Sequence, residues 1–342
     1  MTAEKTTERS RFDRVKTVGR WLLLVLGIGA VIYLVHDAGP DLVWRTLVSA
    51  AIFLPFVALG EIGFVGMDVV SLRLMYGEHA KRVPAAVWLR SAMMAYGIMV
   101  LLPAGRAGGE VMRAANLAPY VGGARAAAGA TVLQGVTLWG NTLISIPCYV
   151  AVAWASGPFN LLALLVLGNG LVTAVIGSVL LFGPRFAKVG GWLGKRIGAL
   201  ASHGSKFDDS LAEMPRAPVG PVIAAGLGRV SQAVQYGVIL IAVGGALTLG
   251  NALIAQAIHL VGAGFGDMVP NQAGITETAY RLSASFAPTL GLADAAAQMI
   301  SIALIHRVVQ FTMAGTSLAV GAVWKPAEPE PADAPSEQPA GA

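Results

Sequence analysis

Charge is what this sequence has least of. Only 13% of its 342 residues are Asp, Glu, Lys or Arg, while 55% are hydrophobic. Soluble domains carry about 25% charged residues. At half that density, a chain this long lacks the polar surface to face water on all sides. A soluble enzyme, a disordered chain and a nucleic-acid binder are therefore excluded, the last despite a net charge of +5. Cysteine is nearly absent too: Cys148 stands alone, so no disulfide or thiolate metal site forms within one chain. The five histidines, His36, His79, His203, His259 and His306, are scattered without the HExxH spacing of a zinc hydrolase. No cofactor and no metal are expected. The strict polar–apolar alternation of a membrane barrel is also missing. An all-α polytopic membrane protein remains.

A spanning helix needs about 20 apolar residues. Five runs meet that standard or nearly so: 21–35, 47–75, 126–155, 160–182 and 219–250. A sixth, 293–324, is long but holds His306 and Arg307. Two less regular stretches, 87–102 and 251–269, end at Pro103 and Pro270. Each leads through a glycine-containing loop into a short amphipathic helix, 109–118 or 276–286. The run at 21–35 lacks a clear small-residue cleavage site and reads as a retained first span.

The placement of charge sets an orientation, because basic loops stay cytoplasmic. Of the 24 Lys and Arg, 19 fall in three blocks, 1–20, 71–125 and 182–219. Segment 251–294 holds only Arg281 against Asp267, Glu277 and Asp294, and should face outward. Arg73, Lys81, Arg82, Arg90 and Arg125 all belong inside, so the apolar stretch 87–102 must return to the side it left. A re-entrant hairpin turning at 103–109 does this, and 251–288 makes a second one from outside. Irregular backbone at membrane depth survives only when buried in protein or lining a wet cavity, so each turn should sit at a cavity. The segment 184–200 reads as an interfacial helix on the cytoplasmic leaflet. Both termini should be cytoplasmic, with 1–20 a basic lead segment and 325–342 a disordered Pro- and Glu-rich tail.

The two turns repeat each other. Pro103-Ala-Gly-Arg106-Ala-Gly108-Gly109-Glu110 is followed by Arg113; Pro270-Asn271-Gln272-Ala-Gly274-Ile-Thr276-Glu277 is followed by Arg281. Downstream, Ala124-Arg-Ala-Ala-Ala128 mirrors Ala293-Asp-Ala-Ala-Ala297. Repeat one covers about 47–155 and repeat two about 219–324, with opposite membrane orientation. Inverted repeats with broken helices are an architecture of transporters.

The P-x-G-R-x-G-G-E turn with its following Arg resembles the first signature of the lysylphosphatidylglycerol synthase transmembrane region, or flippase-like, family. Pro270, Gly274 and Glu277 resemble the second signature, and Arg307 the arginine of the last span. The resemblance covers about residues 15–324. It implies a bacterial inner-membrane protein that translocates or handles lipids, as the aminoacyl-phosphatidylglycerol flippases do. There are departures. The acidic–Arg pair near the start of the family's third long span is replaced by Leu133-Gln134-Gly135. No aminoacyl-transferase half follows Trp324, so lysyl transfer to lipid is not expected.

Several residues become candidates for the site. Arg106 and Arg307 suit a lipid phosphate, since Arg bonds phosphate oxygens in pairs. Arg106 could instead close its turn on Glu110. Glu110 and Glu277 stand in the first turn of their short helices, where a carboxylate caps and meets the helix dipole; they could also bind a cationic group or carry a proton. Arg113 and Arg281 fall where each could pair with its own Glu on one helix face. Gly108, Gly109 and Gly274, with Asn271, supply tight turns, close helix approach or free N–H groups for an anion. Glu61 and Asp68, on one face of the second span, are candidates for a proton or ion-pair relay, or for pairing with Arg106 or Arg307. Gln134, Asn141, Gln232 and Gln235 read as interhelical hydrogen-bonding groups. The expected partner is a membrane lipid substrate and no nucleic acid. An accessory role beside a lipid- or hopanoid-synthesis enzyme, or a membrane-embedded lipid-modifying enzyme, stays open.

Overall fold

The computed structural model describes residues 35–37, 39–102, 105–187, 201–266 and 272–324, with isolated residues 29, 32, 33 and 191. The lead segment, most of the 21–35 run, most of the proposed interfacial helix and the tail lie outside the described residues. Everything described is helix, turn or loop. The helices are α1 Pro40–Ser49, α2 Leu54–Tyr76, α3 Ala85–Leu101, α4 Gly105–Val121, α5 Gly123–Ser156, α6 Leu161–Ala187, α7 Ala201–Glu213, α8 Val219–Ala242, α9 Leu249–Gly266, α10 Ile275–Leu282 and α11 Ala295–Val323.

Four stretches are long and apolar enough to cross a membrane: Pro40–Arg82, Gly123–Ser156, Leu161–Phe186 and Ala295–Val323. Ala85–Leu101 and Leu249–Phe265 are apolar but shorter. The outward faces suit hydrocarbon surroundings. On α6, Leu164, Leu167, Leu171, Val175 and Val179 form an exposed apolar stripe at spacings of three and four. Water would reject such a stripe, and hydrocarbon accepts it.

Helix α8 differs from the expected span 219–250. It stops at Ala242, and Gly244 takes a positive φ of 85° in the turn that follows. It is also absent from the four strongly apolar stretches. Two faces explain why. Val219, Ile223, Leu227, Val230 and Val234 are exposed, while Arg229, Gln232 and Gln235 are buried. Lipid-facing residues are thus separated from a polar inner stripe on one helix.

That inner face packs on α2. Gly60 lets the Gln235 side chain approach to 2.6 Å from where a Cβ would sit. Ser231 donates to the Gly60 carbonyl at 2.9 Å, Gln235 to Val57 at 2.9 Å and Ser71 to Pro221 at 2.9 Å. Such small-residue contacts and side-chain-to-carbonyl bonds hold helices together where lipid removes the hydrophobic drive.

The remaining packing is reciprocal. Helices α3 and α4 pack together, and α3 lies against α11. Helices α9 and α10 pack together, and α9 lies against α5. The first short helix is longer than expected, beginning at Gly105 rather than 109 and ending at Val121. Its glycines pack rather than break it. A Cβ on Gly109 would lie 2.7 Å from the Ala95 carbonyl oxygen, so only glycine lets α4 seat on α3. Helix α7, with no counterpart in the sequence reading, buries Leu211 and pairs Glu213 with Arg125 of α5.

Candidate functional site

A cavity of about 170 Å³ opens among α2, α3, α4, α5, α6, α8, α9 and α11. Its walls come from the middles of the long helices, with Asn141 on α5, Asn169 on α6 and Gln232 on α8. Both turn regions reach it: Leu102 and Glu110 flank the first turn, and Gly264 and Gln272 the second. The charged lining comprises Glu61, Asp68, Glu110 and Arg229, with His259 and the Tyr96 hydroxyl beside them. Amides make up most of the remaining polar lining. An amide offers both donors and acceptors, so this wall can hydrogen-bond water or a polar head group in either sense.

Glu61 is the most heavily served carboxylate. Its side chain is 1% exposed, on α2. Tyr96 of α3 donates to Oε1 at 3.0 Å, and Gln235 of α8 donates to Oε2 at 3.1 Å. Gln310 of α11 adds a donor to Oε1 at 3.4 Å. His306 Nε2 stands 3.3 Å from Oε2, and the Tyr236 hydroxyl stands 3.0 Å from His306 Nδ1. His259 packs edge-on against His306 with ring centres 5.1 Å apart. A buried carboxylate is tolerable only with partners of this number. Of the alternatives for Glu61, pairing with Arg307 does not occur, because the Arg307 guanidinium is turned toward α10.

Glu277 takes Arg307 instead. Its side chain is 0% exposed. Arg307 Nη2 donates to Glu277 Oε2 at 2.9 Å and Nε donates to Oε1, a two-pronged pair. The same guanidinium donates to the Gln272 carbonyl at 3.3 Å. Glu277 also accepts from the Gly274 N–H at 2.9 Å, so it closes the N-terminus of α10 as a capping box does. Gly274 has φ 78°, a left-handed conformation that costs an L side chain about 1–2 kcal/mol. Gln272, at φ 57°, is a non-glycine in that region.

Arg281 does not pair with Glu277 four residues earlier. It reaches Asp37 at 2.9 Å on the exposed side, while the buried Glu277 carboxylate is taken by Arg307 of α11. The first turn behaves as expected in one respect: Arg113 Nε lies 3.6 Å from Glu110 Oε2, with Arg113 only 3% exposed. Glu110 is not in the first helical turn, since α4 begins five residues earlier. Helix capping therefore does not account for it. The Arg106 side chain and Asn271 lie outside the described residues.

Glu61, Asp68 and Glu110 thus meet at one cavity, while Glu277, Arg307, Arg113 and Arg281 do not line it. Arg229 does, with its guanidinium 4.5 Å from the Phe64 ring centre and Nη1 donating to Gln232 at 2.6 Å. Sequence reasoning missed Arg229, Tyr96, Tyr236, His259 and His306. Their only signal was polarity inside apolar runs, which says that a residue faces the bundle but not what it meets. Among the described residues no group of three His, Cys, Asp or Glu side chains could hold a metal ion. No protein-family description, curated protein or solved structure matches the chain.

Proposed function

We propose that this protein is a lipid translocase of the flippase-like kind, moving an anionic or zwitterionic lipid head group between leaflets of a bacterial inner membrane. The observation that carries the reading is the cavity. It is polar, it lies at the middle of a bundle whose outer faces are apolar, and residues flanking both turns line it. A lipid can place its head group in such a cavity while its chains stay in hydrocarbon, which avoids dragging an uncompensated polar group through the bilayer.

The reciprocal packing supports an inverted repeat. Helix α3 of the first half lies on α11 of the second, and α9 of the second lies on α5 of the first, while α2 and α8 face each other. Two halves related by a pseudo-two-fold axis would exchange partners in this manner. In this reading α3–α4 and α9–α10 are re-entrant hairpins. Helix α3 has 17 residues, about 26 Å at 1.5 Å per residue, short of the hydrocarbon thickness. Rocking of the halves about the α2–α8 contact would then expose the cavity to each side in turn.

The deciding experiment uses purified protein in liposomes with fluorescent phospholipid and polyprenyl-phosphate lipids. Transbilayer movement above that of protein-free vesicles is expected, and Arg106→Ala or Glu110→Gln should slow it. No movement of either lipid class would overturn the proposal. The hairpins have their own test, in a background with Cys148 replaced. Single cysteines at Glu78 and Gly123 should label from one side of the membrane, and those at Leu247 and Thr289 from the other. All four positions are exposed.

A further inference from the structure

We propose that Glu61, His306 and Tyr236 form a proton-binding unit that couples the opening of the cavity to the movement of one proton across the membrane. The proton site itself stands on geometry alone; what the proton drives rests on the translocase reading. Three features single this unit out. It joins both halves of the bundle, with Glu61 and Tyr96 from one and Gln235, Tyr236, His306 and Gln310 from the other. It lies behind the cavity wall, which Glu61 itself lines. It contains a carboxylate and an imidazole 3.3 Å apart, side chains of the two kinds that can each take up one proton.

The hydrogen bonds define two proton states. In the first, the Tyr236 hydroxyl donates to His306 Nδ1 and the neutral ring donates from Nε2 to the Glu61 carboxylate. The unit then carries one negative charge, held by Tyr96, Gln235, Gln310 and His306. In the second, one proton has come from water in the cavity. It sits on Glu61, or on His306 with Tyr236 turned to accept, and the unit is neutral. No bond other than O–H or N–H forms or breaks, and the donor is water or hydronium in the cavity.

The coupling follows from solvation. With the cavity open, water reaches Glu61 and the charged state is tolerable. With the cavity closed, a charge held only by neutral donors in the bundle is costlier than one that also meets water, so the neutral state is favoured. Closing therefore takes up a proton and opening releases it, and by linkage the proton biases closing by the same free energy. If closing occurs toward one leaflet and opening toward the other, one proton crosses per cycle.

The groups around the unit bear on its charge. Helix α2 adds Asp68 and α4 adds Glu110, both at the cavity. Helix α8 adds Arg229, and α9 adds His259, whose Nδ1 is buried without a hydrogen-bond partner. Helix α10 adds Tyr280 and Glu277, and α11 adds Arg307. Arg307 is neutralised by Glu277 through two hydrogen bonds, which leaves His306 as the α11 group free to respond to Glu61.

The test uses the full chain in lipid nanodiscs, with glutamate labelled in its side-chain carboxyl carbon. Infrared difference spectra are recorded between about pH 2 and pH 9, a range that brackets ordinary carboxyl and imidazole titration. A buried carboxyl band that rises on acidification, disappears in Glu61→Gln and moves its midpoint in Tyr236→Phe is expected. Tyr236→Phe keeps the ring and its packing on His259 and Tyr280 and removes the hydroxyl that meets His306 Nδ1, so a purely structural role for the ring would leave the midpoint in place. In liposomes, a pH gradient should change the rate of lipid movement in the wild type and leave it unchanged in Glu61→Gln. A carboxyl band that is absent, or that survives Glu61→Gln with the Tyr236→Phe midpoint unmoved, overturns the proposal. Lipid movement indifferent to the gradient overturns the coupling while the translocase reading stands. A titrating Glu61 in a protein that moves no lipid leaves the proton site standing and removes the translocase reading.

Discussion

Glu110 and Glu277 each stand seven residues after a proline and are followed by an arginine three or four residues on. In the folded chain they do different work. Glu277 is sealed from the cavity and bound by Arg307 across a helix interface, and it also caps α10. Glu110 lies within a continuous α4, lines the cavity and keeps Arg113 at a longer distance on its own helix. One turn has become a clamp between α10 and α11, and the other has kept its carboxylate at the cavity. A repeated motif fixes where a residue stands on its helix. The facing helix decides what it bonds, because a carboxylate takes the nearest desolvated cation rather than the one nearest in sequence.

This contrast can be broken or sharpened by substitution, starting with the clamp. Glu277→Ala removes the fully buried carboxylate that the largely buried Arg307 guanidinium grips through two hydrogen bonds, and a loss of about 3–5 kcal/mol is expected. Denaturant or thermal unfolding in detergent would measure it, and adding Arg307→Met should restore most of the loss. A single variant as stable as the wild type would mean that the two turns are energetically alike. Glu110→Ala should cost less, about 1–3 kcal/mol, because Glu110 stands 3.6 Å from Arg113, beyond hydrogen-bond distance, where Glu277 holds Arg307 through two hydrogen bonds. Its larger effect should appear in lipid movement rather than in stability.

Gly109→Ala forces a methyl group toward the Ala95 carbonyl, and overpacking should destabilise by about 1–3 kcal/mol. Gly108→Ala meets only the Ile98 side chain at 3.1 Å, which can shift, so its unfolding midpoint should move less. Equal effects from the two would show that the α3–α4 seam is not as close as described. The smallest effect belongs to Arg281→Ala. It removes an exposed pair with Asp37 and should change stability by about 0.2–1 kcal/mol, less at high salt.

Much of the helical layout was legible beforehand. The runs 126–155, 160–182 and 293–324 match α5, α6 and α11 to within a few residues. The reason is physical: lipid demands long unbroken apolar helices, and such runs have few other readings. Less legible was α4, where Gly105, Gly108 and Gly109 read as a loop. Glycine costs helix stability, but close packing on α3 outweighs that cost. The site was legible only in part. Glu61 and Asp68 stood out as acids in an apolar run, and the fold does bring them to the cavity with Glu110. His306 drew notice only as the neighbour of Arg307, and Tyr96 and Tyr236 drew none, since aromatic residues in apolar helices usually signify packing.

The sequence by itself determined that this is a helical protein built for lipid, where its long helices run, and that a few acids and arginines lie among apolar residues. Each of these follows from composition and periodicity, which act along the chain. Tertiary structure alone decided that Arg307 serves Glu277, that Arg281 serves Asp37, and that Glu61 meets His306. These partners lie 30, 244 and 245 residues apart. In a bundle of low dielectric, an unpaired charge is too costly to leave, so the packing of helices chooses the pairs.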